Sequence, residues 1–206
     1  LWDKYPVMQV ASAEGYVRDP ELVIDFYNER RKQLLDVEPN AGHTGLAELE
    51  KDFNVTVVTQ NVDNLHERAG STHVIHLHGE LTKVCSSRDP YNPRYVRELK
   101  PEEYEVKMGD KAGDGSQLRP FIVWFGEAVP EIETAIGYVE KADIFVIIGT
   151  SMNVYPAAGL LNYVPRTAEV YLIDPKPVDT HSMRQIHVIQ KGASEGVKAL
   201  KTEILH

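Results

Sequence analysis

Beyond residue 130 the sequence alternates between helical and strand-like periods, and that alternation narrows the fold more than any other feature of the chain. The spacing predicts a helix from Glu131 to Lys141, a strand from Ile144 to Ile148, a helix near Pro156 to Tyr163, a strand from Glu169 to Ile173 and a last helix near Ser194 to Leu200. Strands separated by helices make βαβ units, and these build a parallel sheet, because parallel neighbours need a long crossover. In open α/β sheets ligands bind beyond the carboxyl ends of the strands. Here those ends are small or polar. Ile144 to Ile148 runs into Gly149-Thr150-Ser151, and Glu169 to Ile173 runs into Asp174. A third apolar run, Val55 to Val58, stops at Thr59 and gives way to Gln60-Asn61-Val62-Asp63-Asn64-Leu65-His66. A buried amide or carboxylate without a partner costs a few kcal/mol, so such tips call for a ligand or a dense hydrogen-bond network. Gly149 would let a ligand approach the backbone, and Thr150 and Ser151 would bond phosphate or ribose. Asp174 could take ribose hydroxyls, or simply mark a strand-to-turn junction. Together the tips have the pattern of a nucleotide crevice.

A chain of 206 residues buries one core, or one core and a small satellite. Between Cys85 and Leu118 the composition shifts to charge, proline, glycine and tyrosine, with Arg88-Asp89-Pro90, Tyr91, Tyr95 and Tyr104. Residues 85–117 are therefore expected to form a small inserted module, with residues 1–84 and 118–206 making the main domain. Gly113-x-Gly115 follows no strand, which favours a surface turn over a phosphate loop. The net charge of -9 argues against nucleic acid and against an anionic membrane surface, and leaves lysine-bearing proteins as natural partners. No apolar run approaches the roughly 20 residues of a membrane span. A single cysteine, Cys85, allows no internal disulfide and leaves a structural zinc site without its usual thiolates. Cytosol is the expected compartment, and no zinc is expected.

Toward the start, Asp19-Pro20 supplies a cap and a first-turn proline for a helix from Glu21 to Leu35. Val23, Tyr27, Arg30 and Leu34 share one stripe of it, so Arg30 points where the apolar residues point. Tyr27 and Arg30 are spaced to present a phenol and a guanidinium side by side. That pair could clamp a carboxylate, or Arg30 could merely snorkel or pair with an acidic neighbour; the pattern leaves both open. Arg31 and Lys32 turn away from the stripe and are explained by favourable charge near a helix C-terminus. A second helix is expected from Ala41 to about Phe53. Further on, His76 and His78 alternate with Ile75 and Leu77 as in a strand, which puts the imidazoles on one face. A His-x-His pair can hold a metal, but no third ligand has convincing spacing, so no metal is assigned. A histidine acting as general base suits the setting better. Pro120 to Glu127 forms a β-rich run whose exposed edge could pair with an extended peptide.

Taken together, these motifs resemble the sirtuins, the NAD-dependent protein lysine deacylases, over essentially the whole chain. Gln60-Asn61-Val62-Asp63-Asn64-Leu65-His66 resembles the family's Gln-Asn-(Ile/Val)-Asp-x-Leu-His motif, and His78-Gly79 its catalytic His-Gly. Trp124-Phe125-Gly126-Glu127 resembles its substrate-binding strand, and Gly149-Thr150-Ser151 its nucleotide-binding Gly-Thr-Ser. Tyr27-Asn28-Glu29-Arg30 resembles the Tyr-x-x-Arg of the branch that removes succinyl and malonyl groups. Ala11 matches the small residue lining that wider acyl pocket.

The resemblance implies a Rossmann-like parallel sheet with helices on both faces and a small inserted module, here without a zinc ribbon. It implies NAD as cofactor and acylated lysines in proteins or peptides as substrates, with the acyl group ending on ADP-ribose and nicotinamide released. Gln60, Asn61, Val62 and Asp63 would hold the nicotinamide end, joined by Gly149, Thr150, Ser151, Asp174 and Ala193 elsewhere on the cofactor. His78 would be the base. Ala11, Tyr27 and Arg30 would line the acyl pocket, and Val123 to Glu127 would pair with the peptide opposite Val154 and Tyr155. A monomer is expected. The family begins with a strand, a Gly-Ala-Gly-x-Ser loop and a mobile phenylalanine-arginine segment, and this sequence starts after them; about 30 preceding residues are expected on the arithmetic of a βαβ start, and without them weak NAD binding. The family's ribose-binding asparagine is also missing at Leu172-Ile173-Asp174. Two other classes stay open: a domain that only binds acyl-lysine or ADP-ribose, and an NAD-dependent mono-ADP-ribosyltransferase.

Overall fold

The computed structural model describes residues 5–149, 157–178 and 184–205. Among them, in chain order, come α1 (Val7–Val10), α2 (Ala13–Arg18), α3 (Pro20–Leu34), α4 (Ala41–Glu48), β1 (Val57–Thr59), α5 (Leu65–Arg68), β2 (Val74–His76) and β3 (Gly79–Ser86). There follow β4 (Arg97–Glu98), β5 (Leu118–Ile122), α6 (Ile132–Val139), β6 (Ile144–Ile148), α7 (Ala157–Leu160), β7 (Glu169–Ile173), β8 (His187–Ile189) and α8 (Ala193–Ile204). No helix among the described residues is long and apolar enough to cross a membrane. Two compact units emerge, one of Leu1–Glu38, Thr59–Asn64 and His76–Pro130, the other of Pro39–Val58, Leu65–Ile75 and Glu131–His206.

The second unit is built on the parallel sheet β6-β7-β8. Its register runs from Ile144 opposite Glu169 to Ile148 opposite Ile173, and from Tyr171 opposite His187 to Ile173 opposite Ile189. The expected boundaries of β6 and β7 are those observed. β8 was not expected, since its three residues include His187 and the exposed Val188 and give no apolar run. Tyr171, Ile173 and Ile189 form a core with Leu49, Val197 and Leu200. Gly196 lets α8 lie directly on β7: a Cβ there would sit 2.2 Å from Ile173 Cγ2. Where one helix from Ala41 to Phe53 was expected, α4 ends at Glu48 and a 3₁₀ turn, Leu49–Lys51, follows. The amides of Asp52 and Phe53 both close on the Leu49 carbonyl, which tightens the last turn.

The first unit carries the antiparallel sheet β4-β3-β5, with Lys83 opposite Glu98 and Cys85 opposite Arg119. α3 packs on this sheet. Its start is set by Asp19, whose side chain accepts from the Leu22 amide at 3.1 Å, with Pro20 in the first turn. Val23, Phe26, Tyr27, Val10, Leu81, Ile122 and Trp124 form one core, and Ile24, Val84, Leu99, Val106 and Leu118 a second. Each such apolar side chain stabilises the fold by about 1.5–3 kcal/mol on burial.

Arg31 departs from the surface role expected of it, being only 4% exposed. Its Nε donates to the Leu81 carbonyl at 2.8 Å, and one guanidinium nitrogen donates to Asn28 Oδ1 at 2.6 Å and the Tyr104 carbonyl at 2.8 Å. Asn28 in turn exchanges two hydrogen bonds with the Val106 backbone. This clamp ties segment 104–106 to α3 and β3. Two expected strands are also divided. The run from His73 to His78 breaks into β2 and a turn at Leu77-His78, and the run from Pro120 to Glu127 leaves its sheet after Ile122.

Candidate active site

Backbone groups of the polar loop that follows β1 are fixed by hydrogen bonds. Thr59 Oγ1 accepts from the Asn61 amide at 3.0 Å, and the Val62 carbonyl accepts from the Leu81 amide at 2.8 Å. Val62 also packs on the α3 core. His76, buried, places Nδ1 at 3.0 Å from the Asn61 carbonyl. A carbonyl can only accept, so Nδ1 carries the proton and Nε2 faces Glu80 at 3.9 Å. Asn61 stays exposed, while Gln60 and Asp63 are half-buried. Oδ1 of Asn64 is buried without a hydrogen-bond partner among the described residues.

His78 is half-buried in the two-residue turn between β2 and β3, so the strand alternation ends at His76. Two contacts fix it. Its carbonyl accepts from the Val123 amide at 2.9 Å, and its ring is hydrogen-bonded to the Gln60 backbone. Burial pushes its pKa below the usual 6.5, and the Gln60 hydrogen bond opposes that shift. A neutral ring that donates one N–H to a carbonyl keeps a lone pair on the other nitrogen. The turn depends on Gly79, whose φ is +87° and where a Cβ would meet the Phe121 carbonyl oxygen at 2.1 Å.

Tyr27 and Arg30 are in the same unit. Tyr27 is fully buried, and its hydroxyl accepts from Trp124 Nε1 at 3.1 Å; an indole N–H can only donate. Burial pushes the phenol up to about 12, so it stays protonated. Arg30 is half-buried with its guanidinium over Phe26, 6.0 Å from the ring centroid. Burial lowers its pKa, and the charge of Asp63 is among the effects that oppose this. It remains a cation at any relevant pH. Ala11 is buried, and its carbonyl accepts from the Phe125 amide at 3.0 Å.

In the segment 123–127, Trp124 is 2% exposed and Phe125 61%. Gly126 turns the chain with φ +87°, and Glu127 folds back. Its carboxylate accepts from the Trp124 amide at 2.8 Å, the Tyr91 hydroxyl at 2.8 Å and both guanidinium nitrogens of Arg119 at 3.2 Å. The guanidinium of Arg119 lies over the Trp124 ring at 3.8 Å. Burial works against both charges, and their mutual hydrogen bonds outweigh it, so Glu127 is held below and Arg119 above the ordinary value. Arg119, Tyr91, Arg31 and His76 were missed as site-building residues. Arg119 borders the apolar run after Pro120 and His76 alternates with Ile75 and Leu77, whereas Arg31 and Tyr91 stand among polar residues and prolines and gave no signal.

In the other unit, Gly149 and Asp174 directly follow strands paired in register, so they lie at the same carboxyl edge of the sheet. Gly149 is exposed with φ +61°, and its amide donates to the Ile173 carbonyl at 3.1 Å. Oδ1 of Asp174 accepts from the Lys176 amide at 2.8 Å. Ala193 opens α8 and is exposed. Thr150, Ser151, Val154 and Tyr155 lie outside the described residues. Cys85 is a core thiol whose Sγ is 3.7 Å from the Pro120 carbonyl, and burial pushes it up to about 12. Next to it, Ser86, Asp114 and Ser116 hydrogen-bond one another, and the Ser86 hydroxyl also accepts from the Arg88 and Asp89 amides.

Comparison with known proteins adds three findings. The model of the Sir2 family matches residues 1–156. An NAD-dependent protein deacylase of Bacteroides thetaiotaomicron is 84% identical over 201 residues, which is 98% of this chain and 86% of that protein. Among solved structures, a Sir2 homologue mutant in complex with ADP-ribose superposes with a TM-score of 0.82 at 33% identity, covering 100% of this chain and 84% of that one. A complex of Sir2, p53 peptide and NAD+ gives 0.73 at 29% identity, covering 92% and 80%.

Proposed function

This chain belongs to the Sir2 family, and from that premise we propose that it removes acyl groups from protein lysines in an NAD-dependent reaction, with a preference for acyl groups that carry a carboxylate. The fold is the family's Rossmann-like α/β type. One observation carries the catalytic reading: a histidine kept neutral by burial and tethered to the backbone of the polar loop after β1.

The residues present fit the cofactor. Asn61 and Asp63 offer an exposed amide and a carboxylate, and Asn64 has a buried oxygen still to be satisfied; these suit a carboxamide and sugar hydroxyls. When bound, NAD would supply an activated sugar carbon that accepts the acyl oxygen as its bond to nicotinamide breaks, and a sugar hydroxyl on which the acyl group ends. Gln60 to Asp63 orient that end, because four backbone ties hold the loop before any ligand arrives. Gly149, Asp174 and Ala193, with Thr150 and Ser151, are assigned to the rest of the dinucleotide. His78 takes a proton from a sugar hydroxyl through its unprotonated nitrogen. Val123, Trp124, Phe125, Gly126 and Glu127 present an edge to an extended peptide.

The acyl preference rests on Arg30. It is a cation partly withdrawn from water, where a carboxylate partner is worth more than at the surface. Ala11 leaves room, and Tyr27 stands beside the guanidinium with its hydroxyl proton turned away from Trp124. The partners proposed are acylated lysines of proteins or peptides, met by a monomer in the cytosol. The charge of -9 supports a site free of nucleic acid and membrane. A pure binder and an ADP-ribosyltransferase are not favoured, since the Bacteroides relative is a deacylase.

Nicotinamide release, measured with and without succinyl-lysine peptide, tests the reading. Release that depends on the acyl peptide is expected. Release without it would indicate ADP-ribosyl transfer, and none under either condition would leave only binding.

A further inference from the structure

Tyr91 belongs to the segment expected to be a self-contained insert, yet its hydroxyl ends 36 residues away in sequence, on Oε1 of Glu127 at 2.8 Å. That same oxygen accepts from the Trp124 amide at 2.8 Å and from Arg119 at 3.2 Å. We propose that Tyr91 is a positioning residue for the acyl-peptide edge, fixing through Glu127 the turn that displays Phe125. The inference rests on the peptide lying along residues 123–127.

The Glu127 carboxylate accepts from the Trp124 amide, which adds to the turn that the Glu127 amide closes on the Trp124 carbonyl at 3.0 Å and to the Phe125 amide's bond to the Ala11 carbonyl. Arg119 approaches the carboxylate from the buried side and is itself pinned by the Ile122 carbonyl at 2.7 Å and the Trp124 ring. Tyr91 is a separate support, held by edge contact with Phe121 at 6.2 Å between ring centroids. Burial, together with the neighbouring carboxylate, pushes the phenol well above its usual range, so it stays a donor across the working pH. The carboxylate is thus held from two directions by elements that do not move together by covalent connection. Removing the hydroxyl leaves the carboxylate on Arg119 and the Trp124 amide but takes away its third donor, so Glu127 is held less tightly. The backbone at 124–127 then samples more conformations, and an extended peptide must order them on binding, which raises KM for the peptide.

The test is Tyr91→Phe in the full chain, with steady-state kinetics on succinyl-lysine peptide and on NAD. Peptide KM is expected to rise about three- to tenfold, the range of an ordinary net hydrogen bond, because the carboxylate keeps its other partners. KM for NAD and the melting temperature should change little. In a Glu127→Gln background the same substitution should have a smaller effect, because its target charge is gone. An unchanged peptide KM, or a parallel rise in both KM values with a fall in melting temperature, overturns the proposal. If the unsubstituted protein does not turn over acyl-lysine at all, the functional reading itself fails, and this inference with it.

Discussion

His78 shows how one residue's surroundings decide its chemistry. Burial disfavours the imidazolium, so the folded pKa lies below the ordinary 6.5 and the ring stays neutral further into the acid range. Activity needs the neutral form, so kcat/KM should hold its plateau below pH 6.5 and fall only as pH drops through the lowered pKa. A pH profile with its acid limb above 6.5 would contradict this. His78→Ala should reduce turnover by about 100-fold or more, the usual contribution of a general base, as read in single-turnover assays. Arg30 is tested by substrate choice. Arg30→Met should lower kcat/KM on succinyl-lysine by roughly 10- to 100-fold, since a hydrogen-bonded ion pair is lost. Acetyl-lysine, which offers no carboxylate, should suffer far less, and equal losses would remove the clamp.

At the scale of elements, α3 does two jobs with adjacent arginines. Arg30 is half-exposed beside the polar loop, whereas Arg31 is buried and holds α3 to β3 and to residues 104–106. Leu81 connects these duties: its amide donates to Val62 of the polar loop and its carbonyl accepts from Arg31. Burial pushes Arg31 down to about 10, so the position is costly for a charge and is tolerated because three acceptors surround it. Arg31→Met should therefore leave buried carbonyls unpaired and destabilise the protein by about 2–4 kcal/mol. Urea denaturation monitored at Trp124 would measure it, and a loss under 0.5 kcal/mol, the range typical of surface positions, would return Arg31 to the helix surface. The helical period alone put Arg31 off the apolar stripe. That inference failed because α3 is covered over more than one stripe, with Ile24 and Asn28 also buried.

At the scale of the molecule, the second unit depends on the close seating of α8 on β7 at Gly196. Gly196→Ala introduces a methyl 2.2 Å from Ile173 Cγ2, and overpacking of this kind costs about 1–3 kcal/mol. Hydrogen exchange should show faster exchange at Tyr171 to Ile173, and unaltered protection there would mean that the helix moves away without cost. The sequence by itself determined the parallel β6-β7 pair and the polar tips at Gly149, Asp174 and Gln60 to Asp63. Those follow from period, composition and chemical type, which are local properties of the chain, whereas His78 and Arg30 were singled out by their resemblance to family motifs. Only the tertiary structure decided that His76 holds the polar loop, that Arg31 rather than Arg30 is the structural arginine, and that Arg119 and Tyr91 share Glu127. Each of those depends on which distant backbone group a polar side chain meets once water is excluded, and no spacing along the sequence encodes that.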